Sequence, residues 1–219
     1  MSTTLIVGIL LIGAALWELI PLLQDLYNLR LLTLKQKQTA KLLLQKKNQG
    51  IFLNRLYKSA DDYQPKEVRT VQLLDDLEYS LGWKRLAYLD FLEDEQAIIF
   101  RVTKGLPQKY LDFVHEVYHD RIDIGSLAGG RAISTKQPLI VNNWTQDPHL
   151  KHISFMSEYG HVISFGAFPI VSSLTTYGSL HVYGGSAGMF KLNEVQFFTT
   201  VANSLAAILE HDEFCYERR

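Results

Sequence analysis

The sequence predicts an α+β fold: a single, mostly antiparallel sheet with flanking helices, preceded by one transmembrane helix and a basic helical linker. Three observations predict it. Residues 65–212 carry helical periodicity at both ends and short alternating apolar runs, separated by turn residues, in between. Leu5–Trp17 reads LIVGILLIGAALW, without a charge or an amide. Leu26–Lys58 then holds eight basic residues (Arg30, Lys35, Lys37, Lys41, Lys46, Lys47, Arg55, Lys58) and no Asp or Glu. The expected organisation is an anchor at 1–23, a basic juxtamembrane linker at 24–64, a folded domain at 65–212 and a tail at 213–219.

The anchor is argued from length. Leu5–Leu23 would make roughly 28 Å of helix, close to a hydrocarbon core of about 30 Å. Trp17 suits an interfacial ring and Glu18 the headgroup level. A cleaved signal peptide is the competing reading, but the opening MSTT has no Lys or Arg. Basic residues just after a span mark the cytoplasmic side, so the expected topology is single-pass, N-terminus out, with the folded domain in the cytoplasm. Residues 30–58 would also attract anionic headgroups, at about 1 kcal/mol per basic residue near the surface. A coiled-coil stalk is poorly supported. Its best register (Leu29, Leu32, Gln36, Thr39, Leu43, Lys46, Gly50, Leu53, Tyr57) has five apolar positions of nine and Gly50 inside it. Leu29–Leu34 and Leu42–Leu44 instead suggest short amphipathic helices at the membrane surface.

The rest of the chain, from Ala60, carries 14 basic and 21 acidic residues, a net of −7. An acidic domain gives no electrostatic footprint for nucleic acid. Pro65 opens a helix whose apolar positions are Val68, Val71, Leu74, Leu77 and Leu81, and Gly82 stops it. Lys84–Leu92 and Ala97–Val102 read as paired strands. A helix follows at Gln108–Asp120, then a compact loop or short helix around Gly125, Gly129 and Gly130. Pro138–Asn142 is a short strand. Asn143–Gly160 is polar and irregular, with room for one short helix. Ser164–Val171 and Gly178–Tyr183 are strands, with Leu180 and Val182 alternating with polar neighbours as in a half-buried strand. The last helix takes Asn193 as N-cap with Gln196 three residues on, and its apolar stripe is Phe198, Val201, Ala202, Leu205, Ile208 and Leu209.

GSLAGGRAISTKQPLIVNNWTQDP, ISFGAFPIVSSLTTYGSLHVYG and FKLNEVQFFTTVANSLAAILEH, in that order, resemble the central segment, the strand–turn–strand and the closing helix of GAF domains of bacterial and cyanobacterial signalling proteins. The resemblance covers about Val68 to His211. It implies a ligand pocket in the central region, where Trp144, His149, His152, Phe155 and His161 are the candidate lining residues. Phe165 and Phe168 are further candidates, with ordinary core as the alternative. One of the histidines could serve as a haem axial ligand; solvated loop histidines are the other reading. No cofactor is predicted. A covalent bilin is excluded, because the relevant GAF proteins use a central Cys and the only thiol here is Cys215. GAF-type methionine-sulfoxide reductases also need pocket cysteines, absent here.

His115-Glu116-Val117-Tyr118-His119 matches H-E-x-x-H, which on a helix offers two imidazoles to zinc. The helical wheel centres the apolar face on Tyr110, Val114, Val117 and Tyr118 and turns both histidines to solvent. The match is read as chance, with no metal site and no enzyme expected. Only nine residues follow Glu210, too few for a catalytic output domain within this chain. The expected function is a membrane-anchored sensory or docking module that binds a small ligand or a protein partner. The alternative is an accessory subunit or assembly factor of a membrane complex. A parallel homodimer through the first and last helices of the domain, with Ala202, Ala206 and Ala207 allowing close approach, is the expected self-association.

Overall fold

A computed structural model describes residues 3–125, 128–146 and 162–217, and their side chains except those of residues 3–16, 18, 145 and 217. The chain divides into two compact units, Met1–Lys47 and Asn48–Arg219. The first unit is helical: by its backbone, α1 runs over Thr3–Lys58, with Pro21 inside it. Every described side chain from Leu19 to Leu44 is exposed. The leucine clusters at 29–34 and 42–44 are parts of one helix, not the separate amphipathic helices expected. No helix among the described residues is long and apolar enough to cross a membrane. The expected span at Leu5–Leu23 is therefore not supported. Much of that run, residues 5–16 and Glu18, lies outside the described side chains.

The second unit is built on a sheet with strands β1 (Leu86–Leu92), β2 (Ala97–Lys104), β3 (Ile122–Asp123), β4 (Leu139–Val141), β5 (Ser164–Val171) and β6 (Thr176–Gly184). Their order is β3-β2-β1-β6-β5-β4, and each adjacent pair is antiparallel. The two-residue edge strand β3 is too short for alternation to reveal it in the sequence. Among the described residues the unit also holds helices α2 (Lys66–Leu81), α3 (Gln108–Tyr118), α4 (Ala128–Thr135) and α5 (Leu192–Glu217).

One face of the sheet is covered by α2 and α5. Phe168, Ile170, Leu180 and Val182 from the strands meet Leu73, Leu74 and Leu77 of α2 and Phe198, Val201 and Leu205 of α5. Phe52, within the segment expected as linker, is 2% exposed in this core. Pro65 and Gly82 bound α2 as expected, Gly82 at φ 74° with its N–H donating to the Glu78 carbonyl. The buried face of α2 differs from the expected stripe, however. Val68 and Val71 are 42% and 40% exposed, while Arg69 and Thr70 are buried. The cause is the Arg69 guanidinium. It grips the Asp212 carboxylate through Nε–Oδ2 at 2.7 Å and Nη2–Oδ1 at 3.1 Å, and donates to the Ser59 and Asp62 carbonyls. Satisfying those groups rotates the helix relative to a purely apolar alignment.

The stripe of α5 is buried within the chain: Phe198, Val201, Ala202, Leu205, Ile208 and Leu209 all lie in the core, with Ala206. Of the three alanines expected to admit a second copy, Ala207 alone is exposed. Asn193 lies inside the first turn of α5 and is not its N-cap, since the helix begins at Leu192.

Candidate functional site

The opposite face of the sheet packs against α3 and α4. Alternation along β6 sends Leu180 and Val182 to the α2–α5 side, so Ser179, His181 and Tyr183 point the other way. These polar residues are not at the solvent: all three are buried. They line up along one strand. The Ser179 Oγ lies 3.1 Å from His181 Nε2, and His181 Nδ1 lies 3.2 Å from the Tyr183 hydroxyl. A hydrogen bond between Tyr183 and Tyr110 of α3 continues the chain, favouring ionisation of Tyr110 and opposing that of Tyr183. Tyr183 has one proton to give. Two assignments satisfy every member: Ser179 donating to Nε2, Nδ1–H to Tyr183 and Tyr183 to Tyr110, or the reverse at each bond.

Burial keeps these groups uncharged. It pushes His181 down to about 3, pushes Tyr110 up to about 12, and raises Tyr183 well above its ordinary value.

Two glycines of α4 permit this packing. A Cβ on Gly129 would stand 2.4 Å from His181 Nε2, and one on Gly130 would stand 2.2 Å from the Ile124 carbonyl oxygen. The helix therefore rests directly on the imidazole and on the backbone after β3. Next to this contact lies a cavity of about 30 Å³, room for a water or two. Its wall includes Leu89, Phe100, Tyr110, Phe113, Trp144, Phe165, His181 and Tyr183. Ring contacts run around it, Trp144–Phe165 at 5.9 Å, Phe165–Tyr183 at 6.1 Å and Phe100–Tyr110 at 6.0 Å between centroids. Trp144 sits in a 3-10 turn at Trp144–Gln146, fixed by its backbone N–H on the Ile163 carbonyl at 3.1 Å. Its indole is 2% exposed, and Nε1 has no hydrogen-bond partner among the described residues.

Of the predicted lining residues, Trp144 and Phe165 are in the wall. Phe168 is not: three residues from Phe165 on one strand, it faces the other side and packs on Phe198 at 5.3 Å. His149, His152, Phe155 and His161 lie outside the described residues. Ser179, His181, Tyr183, Tyr110 and Gly129 were missed as site residues. Their signal was the run of polar side chains at alternate positions of a strand flanked by strands, which the half-buried reading had turned to solvent.

The H-E-x-x-H segment does not form a zinc helix face. α3 ends at Tyr118, and His119 takes a left-handed conformation at φ 49°. His115 pairs with Asp120 at 2.7 Å, both largely exposed. Val117, placed at the centre of the apolar face from the sequence, is 51% exposed, because the helix ends one residue after it. No group of three or more His, Cys, Asp or Glu among the described residues could hold a metal ion. Cys215 lies on α5, on the other side of the sheet, with its Sγ 3.6 Å from His211 Nε2.

A family model for the GAF domain matches residues 70–210. The GAF domain from a phosphoenolpyruvate-protein phosphotransferase of Coxiella burnetii superposes with a TM-score of 0.62 at 19% identity, over 78% of this chain and 97% of that one. A free methionine-R-sulfoxide reductase from Neisseria meningitidis, solved in complex with its substrate, gives 0.60 at 13% identity, over 74% and 89%. A domain of a putative two-component sensor histidine kinase from Sinorhizobium meliloti gives 0.52 at 20% identity, over 72% and 99%. No curated relative matches the sequence.

Proposed function

The chain belongs to the GAF domain family, whose members are generally sensory or regulatory ligand-binding modules, and from that membership we propose that it takes up a small ligand in the cavity between the sheet and helices α3 and α4. The observation that carries this reading is a cavity walled by Trp144 and aromatic rings, beside a buried chain of uncharged polar groups. The ligand acts as a signal and is not converted. The described cavity wall holds no thiol, carboxylate or amine to serve as nucleophile or base. The Neisseria enzyme shows the same fold holding a substrate, but its chemistry does not follow for a wall without cysteine. Native mass spectrometry of the purified full chain tests the reading. A discrete added mass that dissociates on activation is expected, and a bare polypeptide mass in every preparation would overturn the reading.

A second reading, a scaffold subunit of a larger complex, is favoured by exposed apolar side chains: Val68, Val71 and Tyr79 on α2, and Leu192, Phe214 and Tyr216 on α5. Stoichiometric comigration with other proteins, without a bound small molecule, would select it. Membrane placement is supported by the apolar run Leu5–Leu23 and by the basic residues from Arg30 to Lys58. Removing residues 1–23 is expected to release the protein from membranes in 1 M salt, where screening within about 3 Å disables the basic segment. Retention under those conditions would exclude a single span as the anchor. The self-association expected from the sequence becomes a proposal for the exposed residues of α2 and α5, since the α5 stripe is occupied.

A further inference from the structure

Resting on the self-association proposed for the exposed residues of α2, we propose that a second copy of this chain lays the basic, leucine-bearing stretch of its α1, residues 31–46, antiparallel on the outer face of α2. The contact is reciprocal: each copy lends its α1 to the other's α2, which closes a dimer.

Charge selects this pairing. Residues 1–47 hold six basic and two acidic residues, whereas residues 48–219 hold 16 basic and 21 acidic ones. The exposed side chains of α2 include the carboxylates of Glu67, Asp76 and Glu78, beside the apolar Val68, Val71 and Tyr79. Two α2 faces brought together would set carboxylates against carboxylates, and two α1 stretches would set lysines against lysines. The mixed contact joins opposite charges and covers apolar surface on both sides. On α5 the exposed Leu192 and Phe214 stand near opposite ends of the helix, so they do not make a continuous stripe.

Spacing selects the register. Glu67 and Glu78 are eleven residues apart on α2, about three turns, and so lie on one side of it. Lys35 and Lys46 have the same separation on α1, and Leu31 and Leu42 each precede one of them by four residues. With the helices antiparallel, Lys46 meets Glu67 and Lys35 meets Glu78, the two pairs about 16 Å apart along the axes. The same register brings Leu42 opposite Val71. Parallel helices with the lysines on the same glutamates would bring Leu42 opposite Leu74, which is buried in its own core. All of the residues that meet in the antiparallel register are exposed in the single chain. Asp75, on the same face, already pairs with Lys104, so the contact is assigned to the two glutamates.

The test is a charge exchange on the full-length protein, purified in detergent and followed by sedimentation equilibrium. One variant carries Lys35→Glu and Lys46→Glu, the other Glu67→Lys and Glu78→Lys. The wild type is expected to dimerise, more weakly as salt is raised from about 0.05 to 0.5 M. Each variant alone is expected to raise the dimer dissociation constant by about 10-fold or more, since each dimer then holds four like-charged pairs. An equal mixture of the two variants is expected to recover a dimer of near wild-type strength, because both contacts of the mixed dimer again join opposite charges. That recovery also shows that both variants are folded, and a contact made within one chain would not give it. If the wild type dimerises and neither variant weakens it, self-association stands and this docking face is wrong. If the α1 variant loses binding to phosphatidylserine-containing vesicles while the α2 variant dimerises normally, the lysines serve a lipid surface and the proposal falls. A wild type that stays monomeric removes the proposal and the self-association together.

Discussion

The two faces of the sheet are built by opposite rules. The face under α2 and α5 is apolar almost throughout, with Phe168, Leu180 and Val182 meeting Phe198, Val201 and Leu205. Its buried ion pair, Arg69 with Asp212, is fully hydrogen-bonded. The face under α3 and α4 carries an imidazole, a phenol and a hydroxyl in the middle of the sheet, a second phenol on α3, and a cavity beside them. Close packing supplies stability where every atom has a neighbour. A buried polar network that is incompletely satisfied is a costly element to keep for stability alone. On the proposed function, the first face does the folding work and the second the recognition.

The largest effects should therefore come from the first face. Phe198 is fully buried and touches Trp83, Phe168 and Phe197 at centroid distances of 4.9, 5.3 and 5.1 Å. Phe198→Ala should cost about 3–5 kcal/mol in urea unfolding while leaving the folded protein's ligand uptake unchanged. A smaller loss, or a loss of binding at equal stability, would break the division between faces.

Arg69→Met should rank close behind. It strands the Asp212 carboxylate, whose side chain is 6% exposed, at a cost of roughly 3–5 kcal/mol. Adding Asp212→Leu removes the stranded charge and should recover at least half of that loss. No recovery in the double variant would mean that the Ser59 and Asp62 carbonyls, and not the carboxylate, are what Arg69 holds in place.

Legibility in the sequence also differs between the faces. The strands of the centre, the helix between Pro65 and Gly82, and the closing helix could be read because apolar periodicity records a dry interface. What periodicity could not show was which polar residues go inside. Ser179 and His181 alternate with Leu180 and Val182 as any solvent-facing pair would, and only the helices on the second face turn that pattern inward. Arg69 misled in the same way: a charge between Val68 and Thr70 looks exposed until Asp212, far along the chain, is brought against it. Trp144 was recognised, but as one aromatic among several. Its importance lies in an unmet donor that composition does not display. His119 failed as a motif residue because a helix end is set by local backbone, not by the spacing of imidazoles.

Intermediate effects are expected where the two rules meet. Gly129→Ala gains helix propensity, yet its Cβ would sit 2.4 Å from one ring atom of His181 and 2.6 Å from another. The ring is held from both nitrogens and cannot turn aside without breaking one hydrogen bond. The strain should exceed the gain and cost about 1–3 kcal/mol. Ligand uptake should fall further than stability does. A Gly129→Ala protein that binds normally would show that the imidazole has room to move, and that α4 does not define the cavity.

The smallest effect is also the most specific to the second face. Burial holds the folded-state pKa of His181 at about 3 against an ordinary value of 6.5. The folded form thus excludes a proton that the unfolded chain accepts below pH 6.5. Above 6.5 neither state is protonated at this position and stability is independent of pH through it. As pH falls from 6.5 towards 3 the unfolded state gains a proton and the folded state does not, so stability is lost, by about 1.4 kcal/mol per pH unit at the steepest. Between pH 6.5 and 5 the loss due to His181 should be about 1.5 kcal/mol. Other groups titrate in that window, so the measurement is a difference. Urea unfolding of the wild type and of His181→Gln at pH 7.0, 6.0 and 5.0 should give curves that converge as the pH falls, because the variant lacks the proton-linked loss. Parallel curves would mean that the imidazole is reached by water or accepts a proton in the folded state, and the neutral character of the whole polar chain on this face would fall with it.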